Sequence, residues 1–173
     1  AKEEADRVLR EYEGIQEACK RSVGHADIPD RFQNRSLKSY VAESEGQRRA
    51  LAFAEAYADS FDAALETGRS AIFIGKPGTG KTHLAVGIGL RVMHRDGRTV
   101  LFSTVMRAIR RVRNTWSRNA EETETKAIEA LTRPDLLILD EVGVQYGSDA
   151  EKLLIFDILN ERFGTDFTQA DQL

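Results

Sequence analysis

Gly75-Lys76-Pro77-Gly78-Thr79-Gly80-Lys81-Thr82 fits the pattern G-x-x-x-x-G-K-[ST], a loop that functions only between a strand and a helix. It therefore constrains the fold more than any other part of the chain. The flanks supply both elements. Ala71-Ile72-Phe73-Ile74 reads as a short buried strand, and Leu84, Ala85, Ile88 and Val92 recur on one face of a helix that Gly97 closes. Phosphate oxygens need many donors at short range, so the backbone must curl with its N–H groups inward, a concavity that side chains would obstruct. Gly75, Gly78 and Gly80 leave it open. Lys81 carries a compact positive charge for the β- and γ-phosphates, Thr82 offers a hydroxyl to Mg2+, and the helix N-terminus adds partial positive charge. The expected ligand is a nucleoside triphosphate, ATP, with magnesium. His83 follows the loop directly and joins its candidate nucleotide contacts; like His25 and His94 it lacks metal-ligand spacing and reads as a surface or packing residue.

A second element points at the same ligand. Leu136-Leu137-Ile138-Leu139 is an apolar run that starts after the Pro134-Asp135 break and ends in Asp140-Glu141. An acidic pair at the tip of a buried strand has the form of a Walker B element. Asp140 is the candidate magnesium ligand, with Thr82. Glu141 is the candidate residue that orients or deprotonates the attacking water, and with Lys81 it makes up the catalytic pair.

Size and composition narrow the rest. A chain of 173 residues suits one domain with a real core. Lys and Arg total 25 against 28 acidic residues, a formal net charge of −3, so no global positive field draws it to nucleic acid or anionic lipid. Any nucleic-acid contact must come from a local patch. The single cysteine, Cys19, excludes an internal disulfide and suits a reducing, cytoplasmic setting. No 18-residue apolar run suggests a membrane span.

Along the chain, Ala5, Val8, Leu9, Tyr12, Ile15 and Cys19 recur at helical spacing, so residues 1–25 read as a charged helix. It is either the remnant of a preceding domain or linker, or a helix packed on the main domain. Ile28-Pro29-Asp30-Arg31-Phe32 reads as extended. Ser44 to Gln47 forms a capping box for a helix whose stripe is Ala50, Leu51, Ala54, Ala58 and Phe61. Thr99 to Thr104, rich in β-branched residues, reads as a second strand. The helix after it places Val105, Ile109, Val112 and Trp116 on one face, and Arg107, Arg110, Arg111, Asn114 and Arg118 on another. Such a pattern suits an ordinary solvated face; it also suits a phosphate-contacting ridge with Trp116 free to stack on a base. Glu121, Glu122 and Glu124 open a helix reaching Leu131. Gly143 to Gly147 forms a loop with Tyr146 at its tip, and a last amphipathic helix runs from about Asp149 to Phe163 with Leu153, Leu154, Phe156, Ile158 and Leu159 along it.

With IPDRF, SLKSY, SEGQRRAL, GKPGTGKTHLA, LLILDEVGVQ and EKLLIFDILNERF in view, the chain resembles the AAA+ domain of bacterial helicase loaders of the DnaC type over residues 28–163. The ATPases that assist insertion-sequence transposition share much of this pattern. The resemblance implies an α/β fold of the P-loop NTPase, AAA+ type, a three-layer αβα arrangement with a parallel sheet. It divides the chain into an N-terminal segment 1–25, an ATPase core 26–163 and a divergent tail 164–173. It makes Ile28, Arg31 and Phe32 candidates for base contact, and Met106 to Trp116, Tyr146 and Ser148 candidates for facing single-stranded DNA. The implied partners are a DnaB-type hexameric replicative helicase, single-stranded DNA and further copies of the chain through AAA+ interfaces.

The segment from Asp166 to Leu173 matches none of the sensor strand, arginine finger or helical lid that the resemblance leads one to expect. A truncated or frameshifted chain is expected, with its sheet incomplete at the C-terminal end, and no residue stands for the finger or either sensor. Three functions remain in play: a helicase-loading ATPase, a transposition-helper ATPase, and a module that binds nucleotide without turnover. A phosphotransferase acting on a small molecule lacks any visible acceptor site.

Overall fold

A computed structural model describes residues 24–142 and 149–163. All of the expected helix over residues 1–25 except Gly24 and His25, which are helical, lies outside the described residues, as do Cys19, the loop bearing Tyr146 and Ser148, and the tail 164–173.

The capping box forms as the spelling requires. Gln47 N–H donates to Ser44 Oγ at 3.2 Å, Ser44 N–H donates to Gln47 Oε1 at 2.9 Å, and helix α1 runs Glu45–Asp59. It ends at Ser60, so Phe61 starts a separate short helix, α2 (Phe61–Glu66), while still reaching the same core. Helix α3 (Lys81–Asp96) leaves the glycine loop and stops at Gly97, which takes the left-handed conformation. Strand β1 (Val100–Thr104), α4 (Val105–Asn114), α5 (Glu124–Thr132), β2 (Leu136–Asp140) and α6 (Asp149–Phe163) follow. Of the predicted glutamates Glu124 is the first residue of α5, behind a Thr123 cap, while Glu121 and Glu122 precede the helix.

Strands β1 and β2 pair in parallel, with Val100 opposite Leu136 and Thr104 opposite Asp140. Asp135 fixes this register, because its carboxylate accepts from Thr99 N–H at 2.8 Å and from the Thr99 hydroxyl at 2.7 Å where both strands begin. Helices cover both faces. Val100, Phe102, Leu136 and Ile138 face a cluster built with α1, α2 and α3, while Leu101, Leu137 and Leu139 face one built with α4, α5 and α6. Period-two alternation on a strand distributes its residues to two cores in this way. Gly89 lets helix α3 lie close on the sheet, since a Cβ there would meet Ile138 Cδ1 at 3.0 Å and Val100 Cγ1 at 3.1 Å. Arg162, from α6, donates to the carbonyls of Thr132, Pro134 and Asp135 and so ties that helix to the end of α5 and the start of β2. Burial lowers its pKa below the usual guanidinium value.

Three expectations are corrected. The run Ala71 to Ile74 forms no regular element and belongs to no sheet among the described residues; Ala71 and Phe73 pack on the core, while Ile72 and Ile74 are 82% and 93% exposed. A strand is buried on both faces only when neighbours and a second layer cover it, and here one face alone is covered. The segment Ile28 to Phe32 is extended only as far as Pro29, after which Asp30–Phe32 forms a 3-10 turn. On α6, Leu154 and Ile158 are buried but Leu153 and Phe156 point outward.

Candidate nucleotide-binding site

Both positive-φ glycines of the loop, Gly78 (φ 79°) and Gly80 (φ 85°), hold backbone that other residues adopt only at a cost. They turn the chain so that Lys81, the first residue of α3, reaches back over the loop. Its Nζ donates to the carbonyls of Gly75 and Lys76, each at 2.9 Å, and the Thr79 hydroxyl donates to the Lys76 carbonyl at 2.9 Å. Pro77 stands exposed on the same turn.

The two motifs meet. Thr82 Oγ1 donates to Asp140 Oδ2 at 2.8 Å across 58 positions of sequence. Two elements carry this contact: the first turn of α3 and the carboxyl end of β2, the sheet end at which parallel α/β folds place their ligands. The other oxygen, Asp140 Oδ1, accepts from Glu141 N–H at 2.9 Å. Glu141 itself has φ 60°, a left-handed conformation in a non-glycine residue, and its side chain is exposed just beyond the strand. Strain of that kind clusters where a side chain must be aimed. Thr82 and Asp140 form a small set of hard oxygen donors, the kind Mg2+ accepts alongside water and phosphate. No group of three or more His, Cys, Asp or Glu residues capable of holding a metal occurs among the described residues, so a protein-only metal cage is not what this site offers.

The remaining predicted contacts are spread more widely. Ile28 is a core residue, 3% exposed, and Arg31 stacks on the Phe32 ring at 4.9 Å. His83 turns from the loop to the preceding segment: its Nε2 lies 2.9 Å from the Ser36 carbonyl and 3.3 Å from Ser39 Oγ. Sequence reasoning missed a neighbour of the loop altogether. The Tyr40 hydroxyl donates to the Thr79 carbonyl at 2.8 Å, and the only sequence signal for it was the SLKSY string in which it stands.

Helix α4 buries Val105, Ile109 and Val112 as its spacing predicts, with Ala108 beside them, and its basic face is largely met by carboxylates. Arg107 pairs with Asp27 at 2.9 Å, Arg111 with Glu122 at 2.7 Å and Arg113 with Glu151 at 3.0 Å. The hydrogen bond between Arg111 and Glu122 raises the arginine pKa and lowers the glutamate one. Arg110 is exposed and, with Arg107 and Arg111, lines a cleft of about 340 Å3. Trp116 lies beyond the helix end, 56% exposed, and its Nε1 donates to the Glu124 carboxylate at 2.6 Å.

Glycine loop, lysine, threonine and a facing aspartate define a nucleotide-binding protein of the phosphate-loop class. The chain belongs to the family of IstB-like ATP binding proteins, whose model matches residues 58–168. It is 35% identical over 159 residues to the replicative helicase loader DnaC of Buchnera aphidicola subsp. Schizaphis graminum, a match covering 91% of this chain and 62% of that protein. It is 39% identical over 142 residues to the DnaC loader of Escherichia coli K12, covering 82% of this chain and 56% of the relative. The chain thus spans about 60% of the length of the curated relatives it matches.

Proposed function

We propose that this chain binds and hydrolyses ATP with Mg2+ as the AAA+ domain of a helicase loader, one that delivers a DnaB-type replicative helicase onto single-stranded DNA. The observation that carries the reading is the 2.8 Å bond from Thr82 to Asp140, since it joins the two motifs that a Mg·triphosphate requires. Its fold reading is the three-layer αβα arrangement of AAA+ ATPases, supported by helices on both faces of the parallel pair. Likeness to loaders named DnaC supports the partner. The family match also supports a transposition-helper ATPase, which would require a transposase in place of the helicase. No described helix is long and apolar enough to cross a membrane, which suits a cytoplasmic role.

In this mechanism the loop backbone and the N-terminal end of α3 bind the phosphates, and Lys81 exchanges its carbonyl partners for phosphate oxygens. Thr82 and Asp140 would hold Mg2+, which would supply neutralisation of the triphosphate charge. Glu141 orients a water for attack on the γ-phosphorus and accepts its proton; the bond to ADP breaks as the new P–O bond forms.

Two substitutions test this. Lys81→Ala abolishes binding of fluorescent ATP, and Glu141→Gln binds it normally but loses turnover by about two orders of magnitude or more. Equal loss of binding in both would refute the separate roles, and addition of the helicase or a transposase distinguishes the two partners.

A further inference from the structure

Residues 36–40 clasp the glycine loop and α3 from outside. Leu37–Ser39 forms a 3-10 turn, and Leu37 is buried where a Cβ on Gly87 would meet its Cδ2 at 2.7 Å. His83 lies edge-on to Tyr40 with ring centroids 5.2 Å apart, and bonds back to the Ser36 carbonyl. Tyr40 is buried against the loop: a Cβ on Gly80 would stand 2.5 Å from its Cε2, and its hydroxyl donates to the Thr79 carbonyl. A glycine at position 80 is therefore required twice, by its φ of 85° and by this ring.

The consequence follows from peptide planarity. In a trans peptide the carbonyl of one residue and the N–H of the next point in opposite directions. Holding the Thr79 carbonyl on Tyr40 turns the Gly80 N–H away from the tyrosine. We propose that Tyr40 is a positioning residue for phosphate recognition: it locks the Thr79–Gly80 peptide so that the Gly80 N–H is presented as a preorganised donor to a phosphate oxygen. This rests on the nucleotide reading above and adds a residue from outside both motifs. A loop free to flip that peptide presents a carbonyl oxygen to an anion in part of its population, and affinity falls by that fraction.

The test compares wild type, Tyr40→Phe and Leu37→Ala by melting temperature without ligand and by titration with Mg·ADP and with inorganic tripolyphosphate. Tyr40→Phe keeps the ring and deletes one hydrogen bond, so it is expected to weaken both ligands by the same factor, about three- to tenfold, with the ligand-free melting temperature within a degree or two of wild type. Leu37→Ala keeps the phenol and loses buried volume, so it lowers the melting temperature while binding both ligands within about twofold of wild type. Wild-type affinity in Tyr40→Phe overturns the proposal. So does weakening that tracks the lost melting temperature across both variants, which would make the turn a brace only. If Tyr40→Phe does not fold, the Leu37→Ala result decides: a phosphate-binding loss larger than twofold overturns it. Failure of wild type to bind either ligand instead removes the nucleotide reading beneath it.

Discussion

Replacing Glu141 with glycine should make the protein more stable and catalytically inert. Glu141 has φ 60°, and left-handed backbone costs a non-glycine residue about 1–2 kcal/mol because its Cβ crowds the carbonyl. Glycine removes that cost but gains freedom in the unfolded chain, which returns about 0.4–1 kcal/mol. The side chain is exposed, so little packing is lost, and the backbone N–H still donates to Asp140. The net gain is about 0.5–1 kcal/mol, which for a domain of this size raises the melting temperature by roughly 1–4 °C. Glu141→Gln keeps the Cβ and the strain, so it should melt with wild type although it has equally lost the carboxylate. Differential scanning calorimetry on the three proteins, with ATP turnover measured in parallel, separates strain from charge. A glycine variant that melts at or below wild type refutes the reasoning, and so does a glutamine variant that gains as much.

Two further outcomes follow from charged pairs. Burial alone would raise the Asp135 carboxyl, but the bonds from Thr99 and the charges of Arg98 and Arg162 outweigh it, and its pKa lies below the ordinary 3.8. A carboxyl lowered in the folded state stabilises fully above its unfolded pKa, about 3.9, and that stability is lost as pH falls through the folded value. Urea unfolding from pH 5.5 to 3 should thus show a shallower acid loss for Asp135→Asn than for wild type; coincident slopes would deny Asp135 this role. On α4, Glu122→Gln frees the Arg111 guanidinium, and single-stranded DNA binding should gain about 0.7 in its log–log salt slope for each phosphate contact added. Arg110→Ala with Arg111→Ala should flatten the slope correspondingly, and a slope unmoved in both directions would leave the helix with a solvated face.

How far the sequence could be read depended on what brings residues together. The capping box, the ends of α3 and the acidic tip of β2 are each written within a few consecutive positions, and each formed where its spelling placed it. Thr82 and Asp140 are far apart in sequence, yet both motifs imply the same Mg·triphosphate, so shared ligand chemistry made their meeting foreseeable before any topology was known. Tyr40 and Thr79 had no such common ligand to link them; a phenol meets a backbone carbonyl 39 positions away through tertiary packing that no local pattern encodes. Arginines on α4 failed to announce their partners for the same reason, since Asp27, Glu122 and Glu151 come from three different segments. Ala71 to Ile74 shows the limit most directly. Four apolar residues in a row are spelled like a strand covered on both faces, but coverage is a property of neighbours, and with one face packed only Ala71 and Phe73 turn inward. Apolar spelling therefore predicts the demand for burial, while the fold around it decides which half of that demand is met.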